Sequence, residues 1–146
     1  MKRIKKLVVL LVLAAILCSV LAGCGIGIDE KAPQIVYGKE YRRFEEMEKA
    51  KGEYSCFVFE EDNTGYYCDG YSGSKTFFIW EVAEDGFVYL FPTKTVGDDG
   101  TVGKPYGGGL TGSYTFGEGF MIWTGGAGSA RYVLEGSDLE KALNED

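Results

Sequence analysis

The chain of 146 residues contains no histidine. That absence removes the commonest general base and the commonest metal ligand. It excludes hydrolysis by a histidine-based triad and zinc chemistry built on imidazole. Proline is scarce, with three residues, and cysteine occurs four times. Cations are few beyond the N-terminus. Four of the fifteen Lys and Arg lie within residues 1–23, while all twenty-two Asp and Glu follow, so residues 24–146 carry 11 − 22 = −11. A domain this acidic repels nucleic acid and anionic lipid and attracts basic partners. Long apolar runs are also lacking, with one exception, Leu7–Val20.

That exception decides what counts as structure. Lys2, Arg3, Lys5 and Lys6 precede it, and Leu21-Ala22-Gly23-Cys24 follows it. A basic start, an apolar run and small residues at the end define an export signal. From Leu7 through Gly23 the stretch is 17 residues, shorter than the ~20 that a spanning helix needs. The ending resembles the bacterial lipobox, in which the cysteine sulfur accepts a diacylglycerol and the preceding peptide is removed. The expectation is a signal peptide over 1–23, lipidation at Cys24, and an exported domain held at the cell membrane or the outer membrane. Cys18 falls in the removed part.

The remaining chain has the size of one domain. Residues 24–38 read as a tether of small, polar and charged residues with Pro33. Residues 39–146 then form the domain. Tyr41, Phe44 and Met47 recur every third residue, which predicts a short helix over Lys39–Lys51, stopped by Gly52. From Tyr54 the pattern is β. Strands are expected at Tyr54–Glu60, Thr64–Asp69, Lys75–Val82, Phe87–Phe91, Leu110–Phe116, Gly119–Thr124 and Ser129–Glu135, separated by turns such as Ala83-Glu84-Asp85-Gly86. Pro92 should close its strand or mark an edge. Ser137-Asp138-Leu139-Glu140 has capping-box spacing and opens a final helical turn. Seven or eight short antiparallel strands with little helix make an all-β domain, a small barrel or sandwich.

Two cysteines remain beside the lipidated one. Cys56 and Cys68 are equidistant from Asp62, the centre of the first β-hairpin, so they should lie opposite each other. In an exported domain a cross-strand disulfide is expected, contributing about 2–3 kcal/mol by closing the loop. They form no CxxC, and without histidine nothing of that kind lowers a thiol pKa. No catalytic site emerges elsewhere. Glu60-Glu61-Asp62 and Glu84-Asp85 fall in turns, where solvated charge is the ordinary reading. Gly97-Asp98-Asp99-Gly100 lacks the further ligands of a calcium loop. Gly107-Gly108-Gly109 and Gly125-Gly126 lack the Lys-Ser/Thr of a phosphate cradle. Trp80 and Trp123 read as core. The expectation is a non-enzyme with no cofactor and no metal. Two glycine-bearing loops, near 107–113 and 125–128, flank one hairpin, and they leave from opposite ends of its second strand only if the chain simply zigzags.

Three landmarks in order resemble the membrane-bound lipoprotein class of bacterial lysozyme inhibitors that act on c-type lysozyme. Tyr66-Tyr67-Cys68-Asp69-Gly70 is similar to the family's Tyr-x-Cys-Asp-Gly opening. Thr111-Gly112-Ser113-Tyr114 is similar to its Ser-Gly-x-x-Tyr loop. Met121-Ile122-Trp123-Thr124-Gly125-Gly126 with Ala130 is similar to its aromatic-Trp-x-Lys-Gly-x-x-Ala stretch. The likeness spans Tyr66 to Gly136, about half of the chain. It implies an eight-stranded antiparallel barrel that plugs a lysozyme cleft and performs no catalysis. Thr111, Gly112, Ser113 and Tyr114 would form the inhibitory loop, with Gly125 and Gly126 beside it, and Thr111 and Tyr114 would keep the family's hydroxyl and ring. The departures are specific. The loop is one residue shorter, an extra residue precedes Ala130, and no cysteine follows Cys68, whereas the family's usually pairs near the C-terminus. Gly125 stands where the family has Lys, which removes a charge-assisted contact worth about 2–3 kcal/mol. The expected partner is a basic protein, c-type lysozyme by resemblance. The alternative is a structural or ligand-binding envelope lipoprotein of the same barrel.

Overall fold

A computed structural model describes residues 33–47, 54–105 and 110–145. The signal peptide, the lipidation site Cys24, most of the tether and Gly107–Gly109 lie outside the described residues. The elements in order are β1 (Glu40–Arg43), α1 (Phe44–Met47), β2 (Cys56–Phe59), β3 (Thr64–Cys68), β4 (Lys75–Val82), β5 (Val88–Val96), β6 (Val102–Gly103), β7 (Ser113–Gly117), β8 (Phe120–Gly125), β9 (Gly128–Leu134) and α2 (Asp138–Asn144). Eight strands close into an antiparallel barrel in the order β1-β2-β3-β4-β5-β7-β8-β9, with β9 returning to β1. Strand β6 lies outside the ring, paired to the far end of β5.

Period-two alternation explains the interior. Phe57 and Phe59, Phe78 and Trp80, Val88 and Leu90, and Tyr132 and Leu134 all point inward and are buried. Rings fill the space. Phe57 sits 4.8 Å from Tyr67, 5.0 Å from Tyr132 and 5.4 Å from Tyr114 between centroids. Each fully buried aromatic of this kind stabilises the fold by roughly 1.5–3 kcal/mol. Gly65, in mid-strand, makes room for one of them: a Cβ there would come closer than 3.0 Å to the Phe78 ring and to Val58 O.

Two expectations change. Of the helix expected over Lys39–Lys51, the described residues form a strand at Glu40–Arg43 followed by helix at Phe44–Met47, and residues 48–51 lie outside the described residues. Glu40–Arg43 fills the gap between β2 and β9 and pairs with both. Tyr41 therefore points into the core and is wholly buried, and the apparent three-residue stripe spans two elements. Second, β5 runs through Pro92 to Val96. A register shift at Phe77/Phe78 bends the ladder there, and Pro92 faces Phe78 on β4. On its other flank β5 pairs with β7 at Val88 and with β6 from Thr95. Pro92 thus sits at a locally unpaired edge, where its missing N–H is tolerated.

One end of the barrel, the base, holds the 60–63, 83–87 and 118–119 turns and helix α2. Ser137 caps α2, its hydroxyl accepting from Glu140 N–H at 3.1 Å, as the capping box predicts. Arg42 ties this helix to the sheet, bonding Glu140 at 2.6 Å, Glu40 at 2.8 Å and Glu135 at 2.9 Å. Residues 33–39 strap the base. Ile35 packs on the core, Tyr37 stacks 6.2 Å from Trp80, and Gly38 N–H donates to Phe59 O at 2.9 Å. The part of the tether that is described belongs physically to the barrel.

Candidate functional site

The opposite end of the barrel carries the two glycine-bearing loops. In the β7–β8 hairpin Ser113 faces Thr124 and Tyr114 faces Trp123. In the β8–β9 hairpin Gly125 faces Gly128. Thr111–Ser113 and Gly125–Gly126 therefore share one end, side by side, because β7 enters the sheet where β8 leaves it. Thr111 and Gly126 are exposed, and Gly112, Ser113 and Gly125 are half-buried. No charged residue occurs in 110–117 or in 119–130.

Trp123 organises this rim. Its ring packs on the core from the loop end, between the two glycines. A Cβ on Gly112 would come closer than 3.0 Å to Trp123 Nε1 and Thr124 O. A Cβ on Gly125 would likewise crowd Trp123 Cζ2 and would lie 3.0 Å from Thr111 O. Both positions thus need glycine for close approach. The departure from the family's lysine at Gly125 has a steric cause here, since the indole occupies the space a side chain would leave through. Gly126 is different, with nothing within 4 Å of its Cβ position. The Trp123 Nε1–H is buried with no hydrogen-bond partner among the described residues, a costly state for an indole donor.

Tyr114 requires a correction. The resemblance makes it a contact residue, yet it is 0% exposed. Its hydroxyl donates to Leu110 O at 3.1 Å, and burial pushes its phenol far above the usual range. Alternation along β7 turns Tyr114 inward and leaves Ser113 and Thr115 on the other face. The inhibitory-loop residues that the structure brings together at the surface are Thr111, Gly112, Ser113, Gly125 and Gly126.

Cys56 and Cys68 face each other across β2 and β3, in the register that hairpin symmetry predicts. They are free thiols in this structure, where the sequence leads one to expect a disulfide. The pairing that a disulfide needs is present without the bond itself. Burial, the Glu40 carboxylate and the neighbouring thiol push Cys56 up to about 12. Burial also raises Cys68, against the pull of Lys75.

The base differs in kind. Its 60–63, 83–87 and 118–119 turns hold Glu60, Glu61, Asp62, Glu84, Asp85 and Glu118 and no cation. A shallow cleft of about 500 Å³ is lined by Tyr37, Gly38, Glu60, Glu61 and Asp62. Asp62 accepts from the Thr64 hydroxyl and backbone N–H, which lowers its pKa. Among the described residues no three His, Cys, Asp or Glu side chains group as metal ligands, and no helix is long and apolar enough to cross a membrane.

Fold and site together define a closed, eight-stranded antiparallel barrel with a filled interior and a glycine-bearing rim. No protein-family model, curated protein or solved structure matches this chain. Sequence reading missed the part of Trp123 in forming the rim. The spacing of Gly112 and Gly125 around a single indole was the available signal.

Proposed function

We propose that the chain is a lipid-anchored envelope protein that binds a basic protein, a c-type lysozyme by resemblance, through the rim of Thr111–Ser113 and Gly125–Gly126. It acts by occlusion and performs no chemistry. The observation that carries this reading is the convergence of those two charge-free segments at one end of an acidic domain. Backbone without bulky side chains can enter a narrow groove. The domain's net negative charge speeds encounter with a cationic partner even where the contact surface is neutral. With Tyr114 inside and no lysine at Gly125, the contact rests on backbone and hydroxyl groups, so affinity is modest. The test is calorimetric titration of the mature protein into a c-type lysozyme, with a parallel cell-wall lysis assay. Salt-sensitive binding and slowed lysis are expected. No heat and no inhibition at micromolar protein and low salt would overturn the reading.

A second reading has its own observation. Gly112 and Gly125 are needed to seat Trp123, so the rim could be a packing device in a structural envelope lipoprotein. The interior, filled by Tyr41, Phe57, Phe59, Phe78 and Tyr114, disfavours a ligand carrier. The titration separates these readings, since a structural protein leaves lysozyme untouched.

A further inference from the structure

We infer that in the anchored protein the base of the barrel faces the bilayer and the glycine rim faces away from it, toward the partner. This rests on the lipid-anchor reading and adds an orientation to it. The strap fixes where the chain leaves the fold: Ile35 is held by the core, Val36 N–H donates to the Tyr41 hydroxyl at 2.9 Å, and Gly38 N–H donates to Phe59 O. The anchor point is therefore the base, not a freely chosen side.

Lengths decide the rest. Pro33 lies nine positions after Cys24, with eight residues between them. A chain of that length reaches at most about 30 Å. Six or seven residues of tilted strand set the two ends of the barrel roughly 15–20 Å apart. Inverting the barrel would lay the tether along its wall and use more than half of that reach before it met the bilayer. The opposing effect is repulsion between the base carboxylates, among them Glu60, Glu61 and Asp62, and an anionic lipid surface. That repulsion falls off over a screening length of ~8 Å, well inside the tether's reach, so it is relieved by a standoff and does not require inversion. The acidity sets a standoff and keeps the base from adhering.

The experiment uses the mature lipidated protein, labelled with nitrogen-15, in bicelles doped with a gadolinium-chelating lipid. Mass spectrometry first establishes the acyl chains on Cys24. Amide signals from 60–63, 84–86 and 118–119 should broaden severalfold more than those from 111–113 and 125–128. Stronger broadening at the rim, or equal broadening at both ends, overturns the orientation and leaves the anchor standing. A mass without acyl chains overturns the anchor reading and the orientation with it.

Discussion

The glycine-bearing rim segments and the turns of the base are built from different materials. The rim has glycines, hydroxyls and one indole, and no charge between Leu110 and Gly117 or between Gly119 and Ala130. The base has six carboxylates in three turns and a strap of chain packed beneath the core. At the rim the shape is set by what is missing, since two absent Cβ atoms let Trp123 close the core. At the base the shape is set by hydrogen bonds within turns, as between Asp62 and Thr64. A rim of the first kind is sensitive to added volume and indifferent to salt. A base of the second kind tolerates substitution but responds to pH.

That contrast can be broken most sharply at Tyr114. Its replacement by Ala should cost about 3–5 kcal/mol in urea unfolding, as for other buried aromatics. Tyr114→Phe removes the bond to Leu110 O and should cost about 1 kcal/mol, with lysozyme affinity unchanged. A lost affinity with full stability would restore Tyr114 as a contact residue. Next come the paired glycines. Gly125→Lys must displace Trp123 and should destabilise by about 1–3 kcal/mol. Gly126→Lys should stay within about 0.5 kcal/mol, while placing a cation beside the position that the resemblance assigns to lysine. Lysozyme binding should tighten for Gly126→Lys, and equal destabilisation of both variants would refute the account of the indole. The smallest effect belongs to the base. The Asp62 pKa lies below its unfolded value of about 3.9. Its stabilising contribution is present above that value and is lost as pH falls through the folded one. Asp62→Asn should lower the melting temperature slightly near neutrality and converge with the wild type at low pH, which flattens the fall below pH 4.

Much of this was legible in advance, for local reasons. Strand β4 was readable at its full length because Lys75–Val82 is rich in β-formers, and alternation separates Val88 and Leu90 from Tyr89 and Phe91 without saying which pair faces inward. The opposition of Cys56 and Cys68 followed from a symmetric hairpin. What could not be read depends on partners distant in sequence. Tyr41 looks helical beside Phe44 and Met47, and only the vacancy between β2 and β9 makes its segment a strand. Pro92 reads as a strand end or an edge, and the extra residue beside it, Thr93, is what carries β5 past it. At the rim the participating glycines were visible, but the inward turn of Tyr114 was not weighed against its motif. The resemblance supplied a role that the two-residue period of β7 denies.

Closure of the barrel has a consequence of its own. Among the described residues β5 meets β7 through a single facing pair, Val88 with Tyr114, where the other seven junctions are ladders of three or more. The hoop is fastened there by a clasp, a buried ring hung on Leu110. A join of that kind is insensitive to how much chain passes over it. The 97–101 turn is free to lengthen or shorten over evolutionary time, and the other registers would not be disturbed.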